Sequence, residues 1–213
     1  MITKRELFLL YQYARKCKFI IETGGGLSTS VLANATIKKG GFFISIEINP
    51  KVMRRHKRHK LSNVRKMHGW SVRYEDLMLP GHEHFIKTKS KNYSKVGMEH
   101  KIIFSSKKVG KKIMKERGRT DLIRKALLKY KNIKLDFFFC DSGEYFGLPE
   151  WNVVKDEIKV GGYFAIHDIY FPKSIKGYKV LKKIQESYQW KVVEQTPKKH
   201  DKTCGIAIAI KTK

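Results

Sequence analysis

The residues best suited to chemistry stand at the ends of short apolar runs. His167-Asp168 follows Tyr163 to Ile166, Asp141-Ser142-Gly143-Glu144 follows Leu135 to Cys140, and Glu22 closes Phe19 to Ile21 just before Gly24, Gly25 and Gly26. Histidine titrates near neutral pH, so His167 beside Asp168 is a candidate general base for a hydroxyl proton, and equally a polar end to a strand. The glycines imply different chemistry. A tight turn demands backbone angles that a Cβ forbids, and a ligand can approach such a main chain closely. After the turn, Leu27, Val31, Leu32 and Ala35 recur at helical spacing. Unpaired N–H groups and the positive end of a helix dipole then face the turn, which suits a nucleotide-like ligand.

Hydrophobic periodicity predicts the elements that must hold these groups. Thr3 and Glu6 have capping-box spacing, and Leu7, Leu10, Ala14 and Cys17 share one helical face. The first strand, Phe19 to Ile21, leads into the glycine turn. The second, Phe42 to Ile48, carries Glu47 at its tip, where a ribose hydroxyl pair would lie, and stops at Asn49-Pro50. Lys51 to Lys60 reads as a basic helix. Trp70, Val72 and Tyr74 alternate, so Trp70 to Leu77 is predicted as a third strand ending in Glu75-Asp76. From Pro80 to Arg119 no periodicity is legible, and this basic stretch is expected to be an insertion or lid.

Further on, Leu122, Ile123, Ala126, Leu127 and Tyr130 mark a helix, and Leu135 to Cys140 reads as a strand buried on both faces. Pro149 opens a helix through Trp151, Val154 and Ile158; Gly161-Gly162 then turns the chain into a fifth strand, Tyr163 to Ile166. Ser174 is placed to cap a helix containing Val180, Leu181 and Ile184. The polar loop Thr196 to Cys204 is too short for a crossover helix, so Trp190 to Gln195 and Gly205 to Ile210 must be antiparallel. The sum is an α/β doubly wound sheet, mostly parallel with a C-terminal antiparallel hairpin, in a single domain over 1–213. Its acidic residues collect at the strand tips, where ligands of such sheets bind.

The chain has 213 residues and a formal charge of +27. Of these charges, 18 fall in the 49 residues of Lys51 to Lys66 and Lys87 to Arg119. A localised basic surface favours an anionic partner such as nucleic acid; a lysine-rich solvated face is the alternative, since lysine exceeds arginine by 36 to 10. Cys17, Cys140 and Cys204 have no metal or redox spacing, and their odd number fits a reducing compartment. No membrane span or signal-peptide layout is legible, so a cytoplasmic location is expected. His56 with His59, and His82, His84 and His100, offer further imidazoles, with little beside them to make a metal site.

Taken together, Glu22-Thr23-Gly24-Gly25-Gly26-Leu27-Ser28-Thr29, Glu47, the acid after the third strand, Asp141 and the reversed final hairpin resemble the class I S-adenosylmethionine-dependent methyltransferases. The resemblance spans about Phe19 to Lys211 and implies a Rossmann-like fold with S-adenosylmethionine as cofactor. It implies that Glu22, Gly24 and Gly26 frame the methionine part, with Ser28 in place of a third glycine. Glu47 would hold the ribose hydroxyls, and Asp76, or its neighbour Glu75, would approach the adenine amine. The tips of strands four and five are similar to those of small O-methyltransferases, some of which hold Mg²⁺ between acids there; Asp141 and Asp168 would be the ligands. On that implication His167 or Asp168 serves catalysis, and the acceptor is a hydroxyl of a sugar, a small metabolite or a nucleic-acid ribose. Neither Asn-Pro-Pro-Tyr nor Asp-Pro-Pro-Tyr follows Cys140, which disfavours adenine-amine methylation. An NAD-dependent oxidoreductase would also use a glycine turn and Glu47, but its fingerprint asks for glycine at Thr29. A basic nucleic-acid-binding protein without catalysis is the remaining alternative.

Overall fold

The computed structural model describes residues 2–56, 63–78, 106–170, 174, 176–197 and 205–213. In chain order the elements are α1 (Lys4–Ala14), β1 (Phe19–Thr23), α2 (Leu27–Ile37), β2 (Phe42–Glu47), α3 (Pro50–His56), β3 (Val64–His68), α4 (Tyr74–Leu77), α5 (Lys107–Arg117), α6 (Leu122–Lys129), β4 (Leu135–Cys140), α7 (Gly147–Val154), β5 (Ile158–His167), α8 (Lys176–Gln185), β6 (Trp190–Gln195) and β7 (Ile206–Lys211). The seven strands form one sheet in the order β3-β2-β1-β4-β5-β7-β6. The first five run parallel, while β7 lies antiparallel between β5 and β6.

Side-chain alternation explains the layers. Ile20, Phe43, Phe137, Phe139 and Ala165 point to the face covered by Leu10 and Ala14 of α1 and Leu32 and Ala35 of α2. Phe19, Ile21, Ile44, Phe138 and Phe164 point the other way, against Ile123 of α6, Trp151 of α7 and Val180 and Ile184 of α8. Burial on both faces is why β1, β2 and β4 read as continuous apolar runs. The predicted cap of α1 is present: Glu6 N–H donates to Thr3 Oγ1 at 3.3 Å, and Thr3 N–H donates to Glu6 Oε2 at 2.7 Å.

Several expected boundaries move. The third strand is Val64–His68, a polar edge strand paired with β2, and not Trp70 to Leu77. Trp70, Val72 and Tyr74 are buried, so their alternation reports packing, but they belong to a loop and to α4. That loop has a structural task of its own: the carbonyls of Trp70, Ser71 and Val72 accept from the N–H groups of Leu122, Ile123 and Asp121, at the start of α6. Within the stretch expected to lack periodicity, Lys107–Arg117 is a helix, held by buried Met114; residues 79–105 lie outside the described residues. Gly161 and Gly162 do not precede β5 but lie inside it, next to a register shift between Leu135 and Phe137. Ser174 Oγ donates to Glu144 Oε2 at 2.9 Å. Among the described residues no helix is long and apolar enough to cross a membrane.

Candidate active site

Strand order reverses between β1 and β4, and the loops leaving their C-terminal ends part there to form a cleft of about 300 Å³. Its walls come from three places: Thr23 and Gly24 after β1, Ile46 to Ile48 at the tip of β2, and Asp141, Ser142, Gly143 and Phe146 after β4. Gly69, Trp70 and Ser71 close the far side, where the Trp70 and Phe146 rings stack with centroids 5.5 Å apart. Trp70 is fixed by its Nε1–H, which donates to Met114 O at 2.8 Å.

Gly24 is a position that only glycine fits. Its φ is +78°, and a Cβ there would clash with the Asp141 carbonyl, because the β1 and β4 loops touch at this point. Gly26 differs: its backbone is extended, a Cβ would meet open space, and it forms the N-cap of α2. Glu22 does not face the cleft. It is wholly buried beneath the turn, where its carboxyl accepts from Ser28 Oγ (2.5 Å), Thr29 Oγ1 (2.7 Å) and Ser45 Oγ (3.0 Å). Burial pushes its pKa up to about 8 in spite of those three donors. Glu22 and Ser28 thus build the turn from below, and Thr29 completes it by accepting from Gly26 N–H at 2.9 Å.

Glu47 lies in the cleft wall and is only 9% exposed. Its Oε1 accepts from Asn49 N–H at 2.6 Å, and burial raises its pKa against the backbone N–H groups of Asn49, Gly25 and Ile48. Asp76 is elsewhere. On α4 it takes both guanidinium nitrogens of Arg124, at 2.7 and 2.9 Å, and it is not among the residues lining the cleft. Its expected place beside an adenine amine depended on the misplaced third strand; Ser71 stands at that side of the cleft. Beneath Thr23 and Cys140, the buried Glu150 Oε2 accepts from Thr23 Oγ1 at 2.7 Å and from Cys140 Sγ at 3.1 Å.

At the tips of β4 and β5 the structure brings Asp141, His167 and Asp168 together, and adds two residues that sequence reasoning missed. His167 Nδ1 lies 3.1 Å from Asp141 Oδ1 and 3.2 Å from Asp168 Oδ1, while Nε2 faces Glu6 Oε2 at 3.8 Å, an ion-pair distance too long for a hydrogen bond. Burial would lower the His167 pKa, but the Asp141, Asp168 and Glu6 carboxylates outweigh it and push it up to about 11. Among three carboxylates and only 3% exposed, His167 favours its protonated form and is poorly placed to act as the expected general base. Lys176 is the second missed residue. Its buried Nζ lies 3.2 Å from Asp141 Oδ1, 3.1 Å from Asp168 Oδ2 and 2.9 Å from Ser142 O. Both were findable in principle: Glu6 shares the spacing of Leu10 and Ala14, and Lys176 that of Val180 and Ile184, so each charge falls on a buried helix face.

Ligand atoms of Asp141, His167 and Asp168 lie within 4.8 Å of one another. They do not suit Mg²⁺, which asks for open oxygen ligands, because a protonated ring and a lysine ammonium already lie against both carboxylates. Asp168 also holds a φ of +63°, unusual for a residue with a Cβ, and its N–H donates to Gly205 O at 2.8 Å. His59, His82, His84, His100 and Cys204 lie outside the described residues.

Many solved structures share this architecture. Residues that cover 100% of this chain and 83% of the O-methyltransferase from Bacillus cereus in complex with SAH align with a TM-score of 0.60 at 14% identity. The O-methyltransferase TomG from Streptomyces achromogenes in complex with SAM gives 0.59 at 13% identity, over 100% of this chain and 82% of that one. The Methanococcus jannaschii fibrillarin pre-rRNA processing protein gives 0.51 at 17%, over 94% and 70%. The chain has the Rossmann-like methyltransferase fold. No protein-family model and no curated protein matches its sequence.

Proposed function

We propose that the chain is an S-adenosylmethionine-dependent methyltransferase that transfers a methyl group to a hydroxyl of a sugar or other small acceptor. The observation that carries this reading is Glu47, a nearly buried carboxyl at the tip of β2 that lines the cleft together with Gly24 and Asp141. In this reading Glu47 accepts from the ribose hydroxyls, and Gly24 lets the methionine part lie against the main chain. Ile46, Ile48, Trp70 and Phe146 cover the adenine. The SAH and SAM held by the Bacillus and Streptomyces structures support that choice of cofactor. When bound, the cofactor supplies a methyl group on a positively charged sulfur. Asp168 orients the acceptor hydroxyl and takes its proton as the methyl group is transferred, and His167 acts one step back, paired with Asp168 Oδ1 at 3.2 Å. Glu22, Gly26 and Ser28 keep the turn in shape.

A second reading, an RNA acceptor, is favoured by one observation: a hollow beside α5 whose lining sets Arg73, Lys111, Lys115, Arg119 and Lys125 against the single acid Glu75, which pairs with Lys111. The buried Cys17 and Cys140 thiols fit a reducing cytoplasm. Calorimetric titration with S-adenosylmethionine, S-adenosylhomocysteine and NAD tests the main reading. Micromolar binding of the first two with no heat from NAD is expected. Binding of NAD alone would replace the reading with an oxidoreductase, and silence for all three would leave the basic surface, read through salt-dependent RNA affinity, as the site of function.

A further inference from the structure

Two carboxylates that converge from adjacent strand tips repel unless a cation lies between them. Here that place is filled by the chain itself. An ammonium has three N–H donors, and Lys176 Nζ has three acceptors: Asp141 Oδ1, Asp168 Oδ2 and Ser142 O, at 3.2, 3.1 and 2.9 Å. The stem that reaches this point is prepared for as well. It runs past Gly147 at the start of α7, where a Cβ would lie 2.6 Å from Lys176 Cγ, so room for the lysine exists only because residue 147 is glycine. Lys176 N–H lies 3.4 Å from Glu144 Oε2, which also accepts from Ser174 Oγ, so the backbone before α8 is tied to the loop after β4.

We infer that the Lys176 ammonium is a built-in cation that takes the place of a divalent ion between Asp141 and Asp168 and so fixes the Asp141 to Phe146 wall of the cleft. Lys176 is a positioning residue: its side chain is 2% exposed and does not line the cleft, whereas Asp141, Ser142, Gly143 and Phe146 do. Removing it leaves the His167 ring beside three carboxylates, Glu6, Asp141 and Asp168, with a gap where two oxygens converge. Charge and ligand type there then suit a hard divalent ion.

The test uses Mn²⁺ as probe, counted by its electron paramagnetic resonance signal in the full chain. The parent is expected to bind no Mn²⁺ that Asp168→Asn abolishes, while Lys176→Ala, and Lys176→Met as a variant that keeps the stem, acquire one such ion. The part that concerns the cleft rests on the function proposed above and is read separately, by S-adenosylhomocysteine affinity. Lys176→Ala is expected to weaken it by about tenfold or more, the scale on which outer-shell partners act, and Mn²⁺ to restore it. A merely structural lysine would give no such rescue. A parent that binds Mn²⁺ through Asp168 overturns the inference, as do folded variants that bind none. If no chain binds S-adenosylhomocysteine, the proposed function fails while the Mn²⁺ count still decides the role of Lys176.

Discussion

His167→Gln isolates the charge on the ring, because the amide keeps a donor toward the carboxylates but has no proton to lose. The folded-state pKa of about 11 lies above the ordinary 6.5. Stability from the imidazolium is therefore fully present below pH 6.5 and is lost as pH rises toward about 11. Between those limits the folded chain holds one proton that the unfolded chain has released, so stability falls by about 1.4 kcal/mol per pH unit on this account alone. From pH 7 to pH 9 the loss is about 3 kcal/mol, a large share of a domain's net stability. The whole window corresponds to about 6 kcal/mol as an upper bound, which the partly open Asp141 and Asp168 side chains, 23% and 21% exposed, reduce. Urea unfolding at pH 7, 8 and 9 reads the slope directly. Titrating groups that do not touch the ring, Glu22 among them, are common to both proteins and drop out of the difference. The variant is expected to be less stable at pH 7 and flatter by about 1.4 kcal/mol per unit. Parallel slopes would mean that His167 is neutral in the folded chain, and a general base would again be available.

Three further substitutions separate the cleft from its supports. Glu47→Ala is expected to weaken S-adenosylhomocysteine binding by about 1 to 3 kcal/mol through lost charge-assisted bonds to the ribose; unchanged affinity by calorimetry would put the ribose elsewhere. Gly24→Ala meets both a φ of +78° and the Asp141 carbonyl, so thermal melting should show a loss of more than about 1 kcal/mol, and a neutral result would contradict the touching loops. Asp76→Ala breaks the two-point contact with Arg124 and should cost about 1 to 3 kcal/mol of stability without touching cofactor affinity. A selective loss of affinity would return Asp76 to the cleft.

Legibility followed burial. Phe19 to Ile21, Phe42 to Ile46 and Leu135 to Cys140 were readable as strands because both their faces are covered, so almost every residue is apolar. Val64–His68 was not, because an edge strand exposes Arg65 and His68. The apolar alternation that replaced it, Trp70 to Tyr74, marks a loop buried under the cleft, and periodicity cannot tell a buried loop from a strand. Helix Lys107–Arg117 was hidden for the same reason: among its eleven residues only Gly110 and Met114 are buried. At the site, Glu47, Gly24 and Asp141 were legible because strand tips and tight turns have local signatures. The protonation of His167 was not, because it depends on Glu6 and Asp141, which adjoin it only in the fold.

A buried group of ions usually stabilises a fold less than hydrocarbon of the same volume, so its position calls for a reason beyond stability. Here Glu6, Asp141, His167, Asp168 and Lys176 join α1, the tips of β4 and β5, and α8 at the rim of the cleft. Three carboxylates face two cations, a net negative charge, and Asp141 is the member of the cluster that lines the cleft. On the proposed function that charge favours a sulfonium over the neutral thioether left after transfer. The same field that binds the methyl donor then loosens its hold once the methyl group has gone, which turns a costly cluster into a means of releasing product. S-adenosylmethionine should accordingly lose more affinity than S-adenosylhomocysteine when Asp141 is made Asn.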